Sequence, residues 1–208
     1  MSHTIFLLGG NGRTGRRFLW LALEAGHTVT ALVRSADRLH EVEHERLHIA
    51  VGSATDPTVL KRLLPGHDVV VSTLGPRWPT RVAAAVYPQS AAAMVAAMEA
   101  TGVERLLVTS SALLFPERTL STRLLRWIVP AIVRGAGRME DIIRASSLNW
   151  TLVRTGFLED GDSNAHRLSV GSLPPKPAAV SRLAVATFLL SQVEADRGHH
   201  RKVVGFCG

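Results

Sequence analysis

The stretch Phe6-Leu-Leu-Gly-Gly-Asn-Gly-Arg-Thr-Gly15 constrains this chain more than any other, because it joins an apolar run to a helical pattern through glycines at 9, 10, 12 and 15. A strand that turns directly into a helix needs a residue without Cβ at the turn, and a helix packed closely on that strand needs another. The N–H groups left open at such a helix start form a seat for phosphate. Gly10, Gly12 and Gly15 fit G-x-G-x-x-G, while Gly9, Gly12 and Gly15 fit the looser G-x-x-G-x-x-G, so either Gly9 or Gly10 can make the first turn. An apolar strand from Thr4 to Leu8 precedes the loop, and Phe18, Leu19, Leu21, Ala22 and Ala25 follow at helical spacing. That is the setting a dinucleotide phosphate loop requires.

Downstream, strand and helix signals alternate. Strands are predicted over His27–Val33, Leu47–Val51, Asp68–Gly75, Arg105–Thr109, Trp150–Arg154 and Lys202–Phe206, and helices over Val59–Leu64, Ser90–Thr101, Arg138–Ser146 and Arg182–Gln192. Asp56 and Pro57 read as an N-cap and first helical residue, and the run in Asp68–Gly75 suits a sheet buried on both faces. The pattern predicts an α/β fold: one Rossmann-like, doubly wound, mainly parallel sheet with helices on both faces. At 208 residues and 46% hydrophobic, the chain suits a single domain over 1–208, with a substrate-side region from 111–134 and 155–180. Leu120–Val133, interrupted by Pro130, reads as an amphipathic basic helix that suits its own core, a membrane surface or a second subunit.

Composition narrows the partners. No run approaches ~18 apolar residues and the N-terminus has no basic lead, so neither a membrane span nor a signal peptide is expected, and the expected location is cytoplasmic. A single cysteine, Cys207, excludes an internal disulfide. The net charge is +7, but the basic residues are scattered, and 21 of the 24 are arginine beside Lys61, Lys176 and Lys202. Scattered arginine marks a solvated surface rather than a nucleic-acid track, and the expected partner is an anionic or conjugated small molecule. His40-Glu-Val-Glu-His44 matches the zinc-protease pattern, yet it lies in a charged connection between two strands, and no metal is expected there.

The ends of the predicted strands carry the candidate chemistry. Where a dinucleotide fold meets the adenosine ribose, a carboxylate binds a free 2′-hydroxyl and an arginine accommodates a 2′-phosphate. Here the second strand ends at Arg34, with Arg38 one turn on and no acid before Asp37, which favours NADPH over NADH. Ser110 and Ser111 follow the fifth strand, where a nicotinamide should lie, although serines also cap turns. Trp78, Phe115 and Phe157 are candidate walls for a flat ring. The acid/base pair Tyr-x-x-x-Lys is absent, because the only tyrosine is Tyr87 and position 91 is alanine.

The chain resembles the atypical short-chain dehydrogenase/reductase group, and within it the biliverdin-IXβ reductase (flavin reductase) family. The resemblance rests on Gly9–Gly15, Ala25–Arg34, Val51-Gly52, Leu74-Gly75 with Arg77, Ala97-Met98, Gly102-Val103, Ser110–Ala112, and Met139 with Arg144. It implies NADPH binding and hydride transfer to a flat conjugated acceptor such as a flavin or a linear tetrapyrrole, and the missing Tyr-Lys acid adds a quinone as an acceptor that can delocalise the electron pair. By that match Asn11, Arg13 and Thr14 line the phosphates, Arg34 takes the 2′-phosphate, Leu74 and Gly75 lie along the cofactor, and Ser111 faces nicotinamide and substrate. Ser53 stands where the family often carries an adenine-holding aspartate, and Phe157 where the flavin reductases carry a histidine. An alternative implied by the NmrA-like relatives is an NADP(H) sensor without turnover.

Overall fold

The segment Thr4–Leu8 (β1) is fully buried from Ile5 to Leu8, as an apolar strand must be when both sheet faces are covered. In the computed structural model, which describes every residue except 40, 77, 117–119 and 196–197 and only the backbone of 120–122, β1 lies inside an eight-stranded sheet. Its parallel partners are Thr28–Val33 (β2) and Val69–Ser72 (β4), with Leu47–Val51 (β3) beyond β2. On the other side Arg105–Ser111 (β5), Asn149–Thr155 (β6) and Lys202–Cys207 (β10) continue the parallel array. Arg167–Val170 (β8) closes that edge antiparallel to β10, and Leu158–Glu159 (β7) pairs with Val180–Ser181 (β9) in a separate small ladder.

The strand order β3-β2-β1-β4-β5-β6-β10-β8 reverses direction between β1 and β4. A crevice opens at such a reversal, outside the carboxyl ends of the strands. Arg13–Glu24 (α1) and Arg182–Glu194 (α7) cover one face, burying Phe18, Leu19, Phe188 and Leu189 against Leu7 and Val71. Pro57–Leu63 (α2), Val86–Thr101 (α4) and Pro130–Ala145 (α6) cover the other, where Met94, Met98, Met139 and Ile143 meet Phe6 and Leu106. Each large side chain so buried contributes roughly 1.5–3 kcal/mol. Two short helices leave the carboxyl ends of β4 and β5: Arg81–Ala84 (α3) and Leu120–Ile128 (α5).

The mainly parallel sheet, its helices on both faces and the Asp56-Pro57 helix start agree with the sequence expectations, and several boundaries differ for identifiable reasons. The fourth strand ends at Ser72 rather than Gly75, because Thr73 turns its hydroxyl onto the carbonyls of Leu8 and Gly9. α4 begins at Val86 rather than Ser90, with Pro88 in its first turn, where the missing N–H is not needed. Pro130 does not interrupt one helix but starts the next, so α6 runs unbroken from Pro130 through Gly135 and Gly137, eight residues ahead of the expected start at Arg138. A Cβ on Gly135 would stand 2.8 Å from the Ala84 carbonyl oxygen, so the glycine permits close contact with the end of α3. Residues 41–44 are irregular rather than helical, Glu41 pairs with Arg16 at 3.2 Å, and His40 of the zinc-like motif lies outside the described residues.

Candidate functional site

The glycine loop leaves β1 at the sheet reversal. Gly9 alone in the loop has a left-handed backbone, φ 84°, and the Gly12 N–H donates to the Gly9 carbonyl at 2.9 Å. The first turn is therefore made by Gly9, and the operative spacing is G-x-x-G-x-x-G, with Gly10 buried against Leu7. A Cβ on Gly15 would collide with the Gly9 carbonyl oxygen and stand 2.7 Å from Thr73 Oγ1, so the helix can approach the turn only as glycine. Thr73 ties the end of β4 to this loop, a role that nothing in its own sequence context signals.

Gly12 caps α1, and no side chain caps the helix and no acid occupies its first turn. In contrast, Asp56 Oδ1 accepts from the Thr58 and Val59 N–H groups at the start of α2. The first N–H groups of a helix have no intrahelical acceptor, so the start of α1 can receive an anion. Asn11 and Arg13 are exposed there, and Thr14 is half-buried. The cradle thus suits a pyrophosphate.

The ends of β2 and β3 lie side by side, paired at Val33 and Val51, with the Gly52 N–H donating to the Val33 carbonyl at 2.9 Å. Arg34 and Arg38 are exposed on this rim, and Arg38 is fixed through its carbonyl, which accepts from the Arg16 guanidinium at 2.9 Å. Asp37 turns back to accept from Ser35 Oγ. Ser53 sits half-buried at the end of β3, with Oγ 2.8 Å from Thr55 Oγ1.

At the ends of β5 and β6 the two serines part company. Ser111 Oγ accepts from the Leu113 N–H at 3.3 Å, capping a 3-10 turn, and remains half-buried. Ser110 is buried and donates to Glu140 Oε1 at 2.6 Å. Glu140, only 2% exposed, also receives a two-pronged contact from Arg154, Nε to Oε1 at 2.9 Å and Nη2 to Oε2 at 2.7 Å, and a 2.9 Å bond from Arg144. The Arg154 guanidinium lies 4.5 Å above the centre of the Phe115 ring. Ser110 and Phe115 therefore serve a buried ion cluster, whereas Trp78 and Phe157 are exposed at 69% and 70%. Sequence reading missed Glu140, whose only local sign is Arg144 one turn on along α6; its other partners, Ser110 and Arg154, come from β5 and β6.

Leu74 is half-buried and Gly75 exposed beyond β4, and a Cβ on Gly75 would stand 3.7 Å from the Tyr87 hydroxyl. Burial pushes that phenol up to about 12, away from acid/base duty near neutrality. Arg77 lies outside the described residues.

Asp160, in the segment after β6, reaches back to the glycine loop. Its carboxylate accepts from Arg13 at 2.6 Å and from Arg182 at 2.8 Å, while Asp162 pairs with Arg17 at 3.3 Å. Desolvation works to raise the Asp160 carboxyl, but the two arginines outweigh it and hold it below the usual carboxylate range. Arg13, Arg16, Arg17, Trp20 and Asp160 line a shallow cleft of about 340 Å³. Among the described residues no group of three or more His, Cys, Asp or Glu side chains is arranged to hold a metal.

The whole chain superimposes on a short-chain dehydrogenase/reductase from Veillonella parvula in complex with NADP, with TM-score 0.81 and 21% identity over 95% of that protein. A Rossmann-fold NAD(P)-binding family protein from Shigella flexneri matches 99% of the chain and 93% of its own, with TM-score 0.79 and 24% identity. A Streptococcus pneumoniae protein provisionally named an NADH-flavin reductase matches over 99% of both chains, with TM-score 0.81 and 22% identity. At these identities the likenesses speak for the fold. Residues 9–196, from the first loop glycine almost to the last strand, match the NAD(P)H-binding family model, and the chain belongs to that family of Rossmann-fold proteins, in keeping with an atypical short-chain dehydrogenase/reductase.

Proposed function

We propose that the protein is an NADPH-dependent reductase that passes hydride to a flat conjugated acceptor, a flavin or a quinone. The observation that carries the reading is the uncapped start of α1 behind the Gly9 turn, at the β1/β4 reversal, with two exposed arginines on the adjoining rim. In this reading Asn11, Gly12, Arg13 and Thr14 hold the pyrophosphate, and Arg34 with Arg38 hold the 2′-phosphate by charge-assisted hydrogen bonds. Among the described residues neither Arg34 nor Arg38 has a side-chain ion pair that would compete for that role. Ser53 borders the adenine, and Leu74 and Gly75 line the path toward the nicotinamide.

The nicotinamide supplies the hydride; the chain supplies orientation. Ser111 holds the nicotinamide amide or the acceptor by its hydroxyl. Ser110 acts one step removed, by fixing the end of β5 to Glu140. Trp78 and Phe157 offer exposed rings to a flat acceptor, and a Phe157 ring suits an apolar one such as a quinone. With Tyr87 buried and held protonated, the acceptor must delocalise the arriving electron pair, so that its proton can follow from water.

Steady NADPH oxidation driven by FMN, riboflavin or a quinone, weakened by Ser111→Ala, tests the reading. NADPH binding without turnover across that panel would instead support the sensor reading drawn from the NmrA-like relatives.

A further inference from the structure

Leu124, Trp127 and Ile128 stand at positions i, i+3 and i+4 of α5, so they share one face of the helix. They are 58%, 80% and 59% exposed, which means that this apolar face is turned away from the protein's own core. The surrounding charge is one-sided. α5 itself carries Arg123 and Arg126 and no acid, within a protein whose net charge is +7.

We propose that α5 seats the protein on an anionic bilayer surface, lying in the headgroup layer with Trp127, Leu124 and Ile128 toward the acyl chains. A short arginine-rich helix with tryptophan and leucine on one face binds such an interface through apolar burial plus attraction to anionic headgroups. Tryptophan suits that depth, because its ring is apolar and its N–H stays within reach of water and headgroups. A second copy of the chain is disfavoured as the occupant, since a twofold contact through this face would bring the arginines of two α5 helices together with no acid on either helix to offset them. No described helix is long and apolar enough to cross a membrane, so the attachment is to one leaflet.

The test is co-sedimentation of the full chain with vesicles of phosphatidylcholine alone and of phosphatidylcholine mixed with phosphatidylglycerol, at low and high salt. The expected result is binding to the mixed vesicles only, weakened by salt, and reduced about tenfold by Trp127→Ala. Quenching by brominated phosphatidylcholine included in the mixed vesicles should be strong in the wild type and largely lost in Trp127→Phe. Circular dichroism and thermal unfolding of the variants serve as the control for folding. Equal binding to both vesicle types, no binding to either, or Trp127→Ala binding as tightly as the wild type would overturn the proposal. So would capture by soluble polyglutamate with no change at Trp127, which marks an acidic protein as the partner. The assay needs neither cofactor nor turnover, so its failure and that of the reductase reading are separable.

Discussion

Glu140 was not among the residues singled out from sequence, yet its carboxylate holds Ser110, Arg144 and Arg154 together behind the candidate site. Breaking a buried pair by removing one partner leaves the other charge uncompensated, which costs about 3–5 kcal/mol. Glu140→Ala should show that loss in urea unfolding, and Glu140→Gln, which keeps the shape and part of the hydrogen bonding, should lose less. Equal stability of wild type and Glu140→Ala would remove the cluster from the account. Arg34 is the opposite case, an exposed side chain proposed for the 2′-phosphate from its position after the second strand. Its loss should weaken NADPH binding by about 2 kcal/mol, roughly thirtyfold, and leave NADH binding unchanged. Equilibrium titration of both cofactors against wild type and Arg34→Ala checks this. Gly9 and Gly15 are legible because backbone geometry dictates their type. Thr73 and Asp160 act through partners distant in the chain, as Glu140 does apart from Arg144, and no local pattern announces their roles.

At the scale of elements, the glycine loop and the segment after β6 are coupled. Arg13 is bound to Asp160, and Arg182 supplies Asp160 with a second cation. A pyrophosphate on Arg13 would compete with that carboxylate, while Arg182 would keep Asp160 paired. Asp160→Asn should therefore tighten NADP⁺ binding severalfold, and Arg13→Ala should weaken it. Calorimetric titration of the two variants reads both directions, and weaker binding by Asp160→Asn would mean that the carboxylate clasps the cofactor rather than competing with it. Most strands and helices were visible in the sequence, because apolar periodicity and turn residues report local geometry. The merging of Pro130–Ala145 into one helix was not, since Gly135 and Gly137 read as breaks unless the neighbouring Ala84 backbone is known. The edge strand Arg167–Val170 was missed as well, being mostly exposed and lacking a buried alternating face.

For the molecule as a whole, acid should be destabilising in a defined window. Burial, with the Arg105 charge second, holds His199 and His200 below the ordinary value of 6.5. The unfolded chain therefore takes up protons first as the pH falls, so the stability these imidazoles support is complete above 6.5 and drains away below it. Tm should fall between about pH 7 and about pH 5, and fall less when both histidines are replaced by glutamine. Thermal unfolding across that range checks the sign. The mainly parallel sheet and the family were legible from the glycine loop and the alternation of elements, because alternating strands and helices leave few other ways to bury both faces. The acceptor was not legible, since Trp78 and Phe157 offer only exposed ring surface and no polar pattern that selects one flat molecule over another.

Hydride transfer itself is the most direct test. Protein saturated with NADPH is mixed anaerobically with riboflavin or a quinone, using NADPH deuterated at one or the other face of the nicotinamide, and cofactor oxidation is followed in a single turnover. The reading predicts rapid oxidation, slowed by deuterium on one face only, since the site orients the ring. Bound NADPH that stays reduced with every acceptor, or oxidation insensitive to deuterium on either face, would contradict it.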